Sequence, residues 1–191
     1  RLHELLAERP VLLLGPGNNI HRQKKRVIKY MEAYHPIVIA VNYVPTHIKV
    51  HYVFLTKAKR YKSLRNDMNR GVNKDAEIIA TSNVTTVKRE FPYVLRYGSL
   101  IDLQTEIIDN SLVMLLKAMV RIGVKSVGLA GFDGYSKRRD NYFDISREYS
   151  FAKAKASYLN AYVKECLRKL HKDLNVIFVT KSRYEEQPVR T

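Results

Sequence analysis

The stretch Val11-Leu12-Leu13-Leu14-Gly15-Pro16-Gly17-Asn18-Asn19 decides how this chain is read: an apolar run of strand length breaks at a glycine turn and passes into a helical pattern. Glycines at such a turn let the backbone bend sharply and let a ligand approach the amides. The N–H groups at the start of the following helix favour an anion. The spacing therefore predicts a strand, a phosphate-sized loop and a helix, with a nucleotide or phosphorylated small molecule as the first candidate ligand. Gly-x-Gly alone lacks the third glycine of the dinucleotide fingerprint and the Gly-Lys-Ser/Thr ending of a P-loop, so turn geometry explains these glycines equally well.

Outward from this loop, residues 1–9 read as a linker or helix end, stopped by Pro10. Ile20, Val27, Met31 and Tyr34 share one face of a helix that Pro36 ends. Ile37 to Val41 is a continuous β-branched run, as in a strand covered on both faces. Tyr52 to Leu55 is a third strand, followed by a basic helix from Lys57 to Met68. Glu77 to Thr81 is a fourth strand and Tyr93 to Arg96 a weak fifth. An apolar helix from Asn110 to Ile122 is closed by Gly123, and Ser126 to Ala130 is a buried strand. Leu159, Val163, Cys166 and Leu170 mark a helix from Ser150 to Lys172, and Val176 to Val179 is the last strand. Strands alternating with helices predict an α/β, Rossmann-like three-layer sandwich with a mostly parallel sheet of about six to seven strands.

At 191 residues and 46% hydrophobic, the chain is long enough for one core and reads as a single domain over 1–191, with 185–191 as a tail. Its start on Arg1 suggests a piece of a longer protein. Apolar runs stop well short of the roughly twenty residues of a membrane span, so the expectation is a soluble, cytoplasmic chain. Cys166, the sole cysteine, reads as a packing residue and excludes an internal disulfide. The net charge is +16, from 34 Lys and Arg against 18 Asp and Glu. That excess draws polyanions, so nucleic acid or an anionic membrane surface is a candidate non-specific partner. Most of these charges, including Lys57, Lys59 and Arg60, read as solvated helix faces, and neither zinc-finger spacing nor the aromatic signature of an RNA-recognition sheet occurs.

In an open parallel sheet, ligands bind beyond the carboxyl ends of the strands. The polar residues that follow the predicted strands are therefore the candidate cofactor-binding set: Gly15, Pro16, Gly17 and Asn18; Asn42; Ser82 and Asn83; and Asp133, with Asn110 and Ser111 opening the apolar helix. Asn and Asp can read base edges or ribose hydroxyls, while Tyr135 and Tyr142 can donate to phosphate oxygens. Each also has a plainer role as turn former, helix cap or packing residue. Asp140 and Asp144 form no close carboxylate cluster. His47 and His51 lack a third ligand, so no metal is expected. No Ser or Cys has the neighbours of a catalytic triad.

The strand-Gly-x-Gly start, Asn42, the Asn110-Ser111 helix start and the Gly131-Phe132-Asp133-Gly134-Tyr135 loop resemble the bacterial sialyltransferases of family 42 over about residues 11–165. They are also similar to Rossmann-like domains that include archaeal pterin pyrophosphokinases. The resemblance implies that Gly15 to Asn18 hold phosphate and that Asn42, Asn110, Ser111 and Asp133 contact a cytidine nucleotide. Tyr135 and Tyr142 would then be catalytic, stabilising the departing phosphate of a CMP-activated sugar. Those enzymes carry a histidine base before their last long helix, where this chain has no histidine between His51 and His171. The phrases Leu-Leu-Leu-Gly-Pro-Gly, Val-Ile-Ala-Val-Asn-Tyr-Val-Pro, Asp-Asn-Ser-Leu and Leu-Ala-Gly-Phe-Asp-Gly-Tyr-Ser resemble, across nearly the whole chain, the C-terminal domain of bacterial aldolases. These are of the hydroxymethylglutaryl-CoA lyase and 4-hydroxy-2-oxovalerate aldolase type. That resemblance implies an accessory nucleotide-binding domain whose lyase chemistry belongs to a separate, metal-dependent barrel as fused or partner unit.

Overall fold

The computed structural model describes residues 2–84 and 91–186; residues 187–191 of the expected tail lie outside them. Among the described residues seven strands, β1 (Val11–Leu14), β2 (Ile37–Val41), β3 (Tyr52–Leu55), β4 (Glu77–Thr81), β5 (Tyr93–Leu95), β6 (Ser126–Ala130) and β7 (Asn175–Phe178), form one sheet. The order is β5-β4-β3-β2-β1-β6-β7, with every pair parallel. Helices α1 (Leu2–Ala7), α2 (Asn19–Arg22), α3 (Lys24–Tyr34), α4 (Tyr61–Arg70), α5 (Ser111–Ile122) and α6 (Ala156–Leu170) cover both faces. The architecture is the expected Rossmann-like α/β sandwich.

Strand alternation sorts the core into two layers. Val11 and Leu13 of β1 pack with α1, α5 and α6, the layer that holds Leu115, Met119, Leu159 and Val163. Leu12 and Leu14 point the other way, onto Ile20 of α2, Val27 of α3 and Leu64 and Met68 of α4. All four β1 side chains are buried, as a strand covered on both faces requires. Among the described residues, no helix is long and apolar enough to cross a membrane.

Three helix boundaries differ from the pattern. The helix expected after the glycine loop is broken at Gln23, whose backbone (φ −117°, ψ 28°) leaves the helical region, into the four-residue α2 and the longer α3. The basic helix begins as a tight turn, Ala58–Arg60, before α4. The last helix starts at Ala156 instead of Ser150; residues 150–155 form turns, and Tyr149 stacks on Phe151 with ring centroids 5.1 Å apart.

From β1 the chain builds outward through β2 to β5, then returns to the other side of β1 as β6. The strand order reverses between β1 and β6, and the crevice beyond their carboxyl ends is the topological switch point where such folds bind ligands.

Candidate functional site

At the switch point the two glycine loops are sewn to each other. Gly15 N–H donates to the Ala130 carbonyl (2.8 Å) and Gly17 N–H to the Gly131 carbonyl (2.7 Å). A Cβ on Gly15 or Gly17 would lie 2.5 Å from the Gly131 oxygen. Gly131 itself has φ +74°, the left-handed region open to glycine at little cost. These glycines permit chain-to-chain approach, and their amides are engaged within the protein.

Asp133 completes the seam. Its Oδ2 accepts from the Asn19 N–H at the start of α2 (2.9 Å), so a carboxylate of the protein itself sits where the helix terminus would attract an anion. Its Oδ1 is buried without a hydrogen-bond partner. Burial pushes the Asp133 carboxyl up, against the lowering effects of the Asn19 amide, Arg183 and Arg22. Asn18 Nδ2 donates to the Asp140 carbonyl (2.9 Å), and Phe143 N–H to that of Pro16 (3.1 Å), binding the segment after β6 onto the loop after β1.

A second network fixes the neighbouring strand ends. Asn42, at φ +57°, donates through Nδ2 to Thr56 Oγ1 (3.0 Å) and Ser111 Oγ (2.9 Å), while its Oδ1 accepts from Thr56 N–H (2.9 Å). The ends of β2 and β3 are thereby tied to the first residue of α5, whose N-cap Asn110 accepts from Val113 N–H (3.2 Å). Ser82 Oγ accepts from Tyr97 N–H (3.0 Å) and Asn83 Nδ2 donates to the Thr56 carbonyl (3.0 Å), so both hold the end of β4 to its neighbours.

Above these seams lies a cleft of about 420 Å³ running from the end of β6 across β1 and β2 to the end of β3. Pro16, Asn42, Asn110, Ser111, Asp133, Tyr135 and Tyr142 line it, so the structure brings these sequence candidates together. Gly15, Gly17, Asn18, Ser82 and Asn83 are not on its surface; they serve the seams below and beside it. Tyr135 and Tyr142 pair through their hydroxyls (3.2 Å), and burial pushes both phenols up, so both remain protonated donors at neutral pH.

The cleft also holds residues that the sequence reading assigned to solvent or left aside. Lys57, Lys59 and Arg60 line its β3 end, and Arg147, Glu148 and the stacked Tyr149 and Phe151 also line it. Lys57 Nζ lies 4.8 Å from the Tyr149 ring centroid and 3.6 Å from Asp109. Arg147 is committed to the protein: to Asp144 (3.0 Å), to Asp67 (3.7 Å) and to the Asn42 carbonyl (3.2 Å). Arg60 donates to the neutral Ser146 carbonyl (3.1 Å). Among the described residues neither Lys59 nor Arg60 forms an ion pair. The available signal was position: Lys57-Ala58-Lys59-Arg60 follows a parallel strand directly, as the glycine loops do.

Other candidates have structural places. His51 Nδ1 accepts from Val38 N–H (3.0 Å), and burial with nearby Arg9 and Lys49 lowers its pKa, consistent with a neutral acceptor. Cys166 is buried in the α5–α6 layer, where burial pushes its thiol up. Asp140 pairs with Lys153 and Asp144 with Arg147; among the described residues no three His, Cys, Asp or Glu side chains gather as metal ligands.

No protein-family model matches the chain and no curated protein matches its sequence. Among solved structures, the X-ray structure of Pen from Bacillus thuringiensis is similar over 91% of this chain, at 12% identity and a TM-score of 0.35. The match spans 52% of that protein's chain. A likeness this weak carries no statement about ligand or reaction.

Proposed function

We propose that this chain is a binding domain for a nucleotide or nucleotide-activated sugar, with a cytidine nucleotide as the leading candidate. The observation that carries the reading is the cleft at the switch point, where cationic, aromatic and hydroxyl groups converge over about 420 Å³. Cations match phosphate, the aromatic wall matches a base or sugar face, and the protonated phenols of Tyr135 and Tyr142 donate to phosphoryl or hydroxyl oxygens. The sequence phrases that resemble the aldolase-associated domain support an accessory role beside an aldolase-like barrel.

Thermal melting with cytidine, CMP, CDP and a CMP-activated sugar tests the reading. A ligand at about a hundred times its Kd adds about 2.7 kcal/mol, which raises the Tm of a domain this size by about 5 to 11 °C. Melting curves that do not move with any of these ligands at millimolar concentration would sink it.

A further inference from the structure

We infer that the phosphoryl group of the ligand docks on the turn after β3, against Lys57, Lys59 and Arg60, and not on the glycine loop after β1. The inference deepens the nucleotide-binding reading of the same cleft by giving the ligand a direction.

The glycine loop is closed to an anion on three counts. The Gly15 and Gly17 amides already donate to carbonyls of the β6 end. The amide at the start of α2 already holds Asp133 Oδ2. A phosphate brought there would also meet the Asp133 carboxylate, which the Arg22 and Arg183 charges already face. With only four residues, α2 contributes a weak terminus in any case.

The opposite wall has the reverse character. Lys57, Lys59 and Arg60 fall within four residues at the β3 end of the cleft. Lys59 and Arg60 lack carboxylate partners among the described residues, while Lys57 pairs with Asp109 at 3.6 Å and lies over the Tyr149 ring. They also lie at the start of the turn Ala58–Arg60 that runs into α4, whose first turn carries no acidic residue. Cations at the positive end of a helix repel its dipole, so an anion among them relieves a tension built into the fold. Three strand spacings, about 14 Å, separate this wall from Asp133 at the β6 end. The cleft is therefore polarised: it takes a ligand with a phosphoryl group at the β3 end and hydroxyl or amino groups toward β6.

The test is titration calorimetry with cytidine, CMP, CDP and inorganic pyrophosphate. The wild type is compared with Lys59→Gln/Arg60→Gln and with Lys164→Gln/Lys172→Gln, which removes equal charge elsewhere. Backbone amide NMR shifts locate the probe. The expected result is that CMP, CDP and pyrophosphate shift amides of 57–61 and lose about 10- to 100-fold in affinity in the first double variant only, while cytidine binding is unchanged. Unaltered CMP affinity in that variant, with shifts at 15–19, overturns the inference and leaves nucleotide binding intact. Pyrophosphate captured at 57–61 with no gain from a cytidine moiety upholds the inference and removes the nucleotide. Equal losses in both double variants mean charge alone and overturn it, and absence of all binding overturns both readings.

Discussion

Two loops leave the same edge of the sheet and handle their polar groups in opposite ways. The Gly15–Asn19 loop after β1 turns its amides inward, onto the β6 end and Asp133. The Lys57–Arg60 turn after β3 lines the cleft with cationic side chains, of which neither Lys59 nor Arg60 has a carboxylate partner among the described residues. The loop that looks like a phosphate cradle in sequence is a seam between chain segments, and the segment that looks like a solvated helix face lines the cavity. Glycine marks close approach without saying whether a ligand or another stretch of the same chain makes it.

The contrast breaks most readily at the seam. Gly131→Ala places a Cβ against the Gly15 carbonyl at a left-handed φ, and should cost about 3 kcal/mol or more in urea denaturation. Gly98→Ala, with no atom within 4 Å of the added methyl, is the control and should be near neutral. An equally mild Gly131→Ala would mean that the loops do not touch.

Asn42 probes the strand-end network beside the seam. Asn42→Ala loses its bonds to Thr56 and Ser111 and keeps the unfavourable φ of +57°, for an expected loss of about 2 to 3 kcal/mol. Asn42→Gly loses the same bonds but accepts the backbone, and should recover about 1 kcal/mol of that. Identical midpoints for the two variants would show that the backbone there is unstrained.

Asp133 sharpens the comparison through pH. Burial holds its carboxyl above the usual 3.8, so the folded state binds this proton more tightly than the unfolded chain. Its contribution is full below pH 3.8 and is lost as pH rises through the raised folded value. The stability of the wild type relative to Asp133→Asn should fall over that window and level off above it. A pH-independent difference would show a well-solvated carboxylate.

The smallest effect is expected at the open wall. Lys59→Gln/Arg60→Gln should change stability by less than about 0.5 kcal/mol, since neither cation has a carboxylate partner among the described residues. A large loss would make this wall structural, like the seam.

Much of the fold was legible because it rests on local signals. The four-residue apolar run of β1, the β-branched β2 and the Gly123 stop of α5, at φ +89°, all appear where period and capping place them. What escaped was long-range. Nothing local to Gly15 tells that its partner is Ala130, and nothing local to Asp133 tells that its acceptor serves Asn19. The periodicity of Leu159, Val163 and Cys166 marks the body of α6, but nothing local sets its first residue, and 150–155 are turns. Of the candidate residues, those projecting from strand ends or the α5 start into the cleft were found by position. The basic turn was missed because its composition outweighed its position.

The pairing of β1 with β6 also orders events during synthesis. β1 gains β2 soon after it emerges, but its other edge waits for β6, about 110 residues later, or roughly 5 to 20 seconds at ordinary ribosomal speed. Throughout that interval an apolar Val-Leu-Leu-Leu strand has an unpaired side, the kind of edge that recruits other chains. The nascent protein is therefore open to misassociation until the cleft comes into being, since the same pairing closes the edge and creates the switch point.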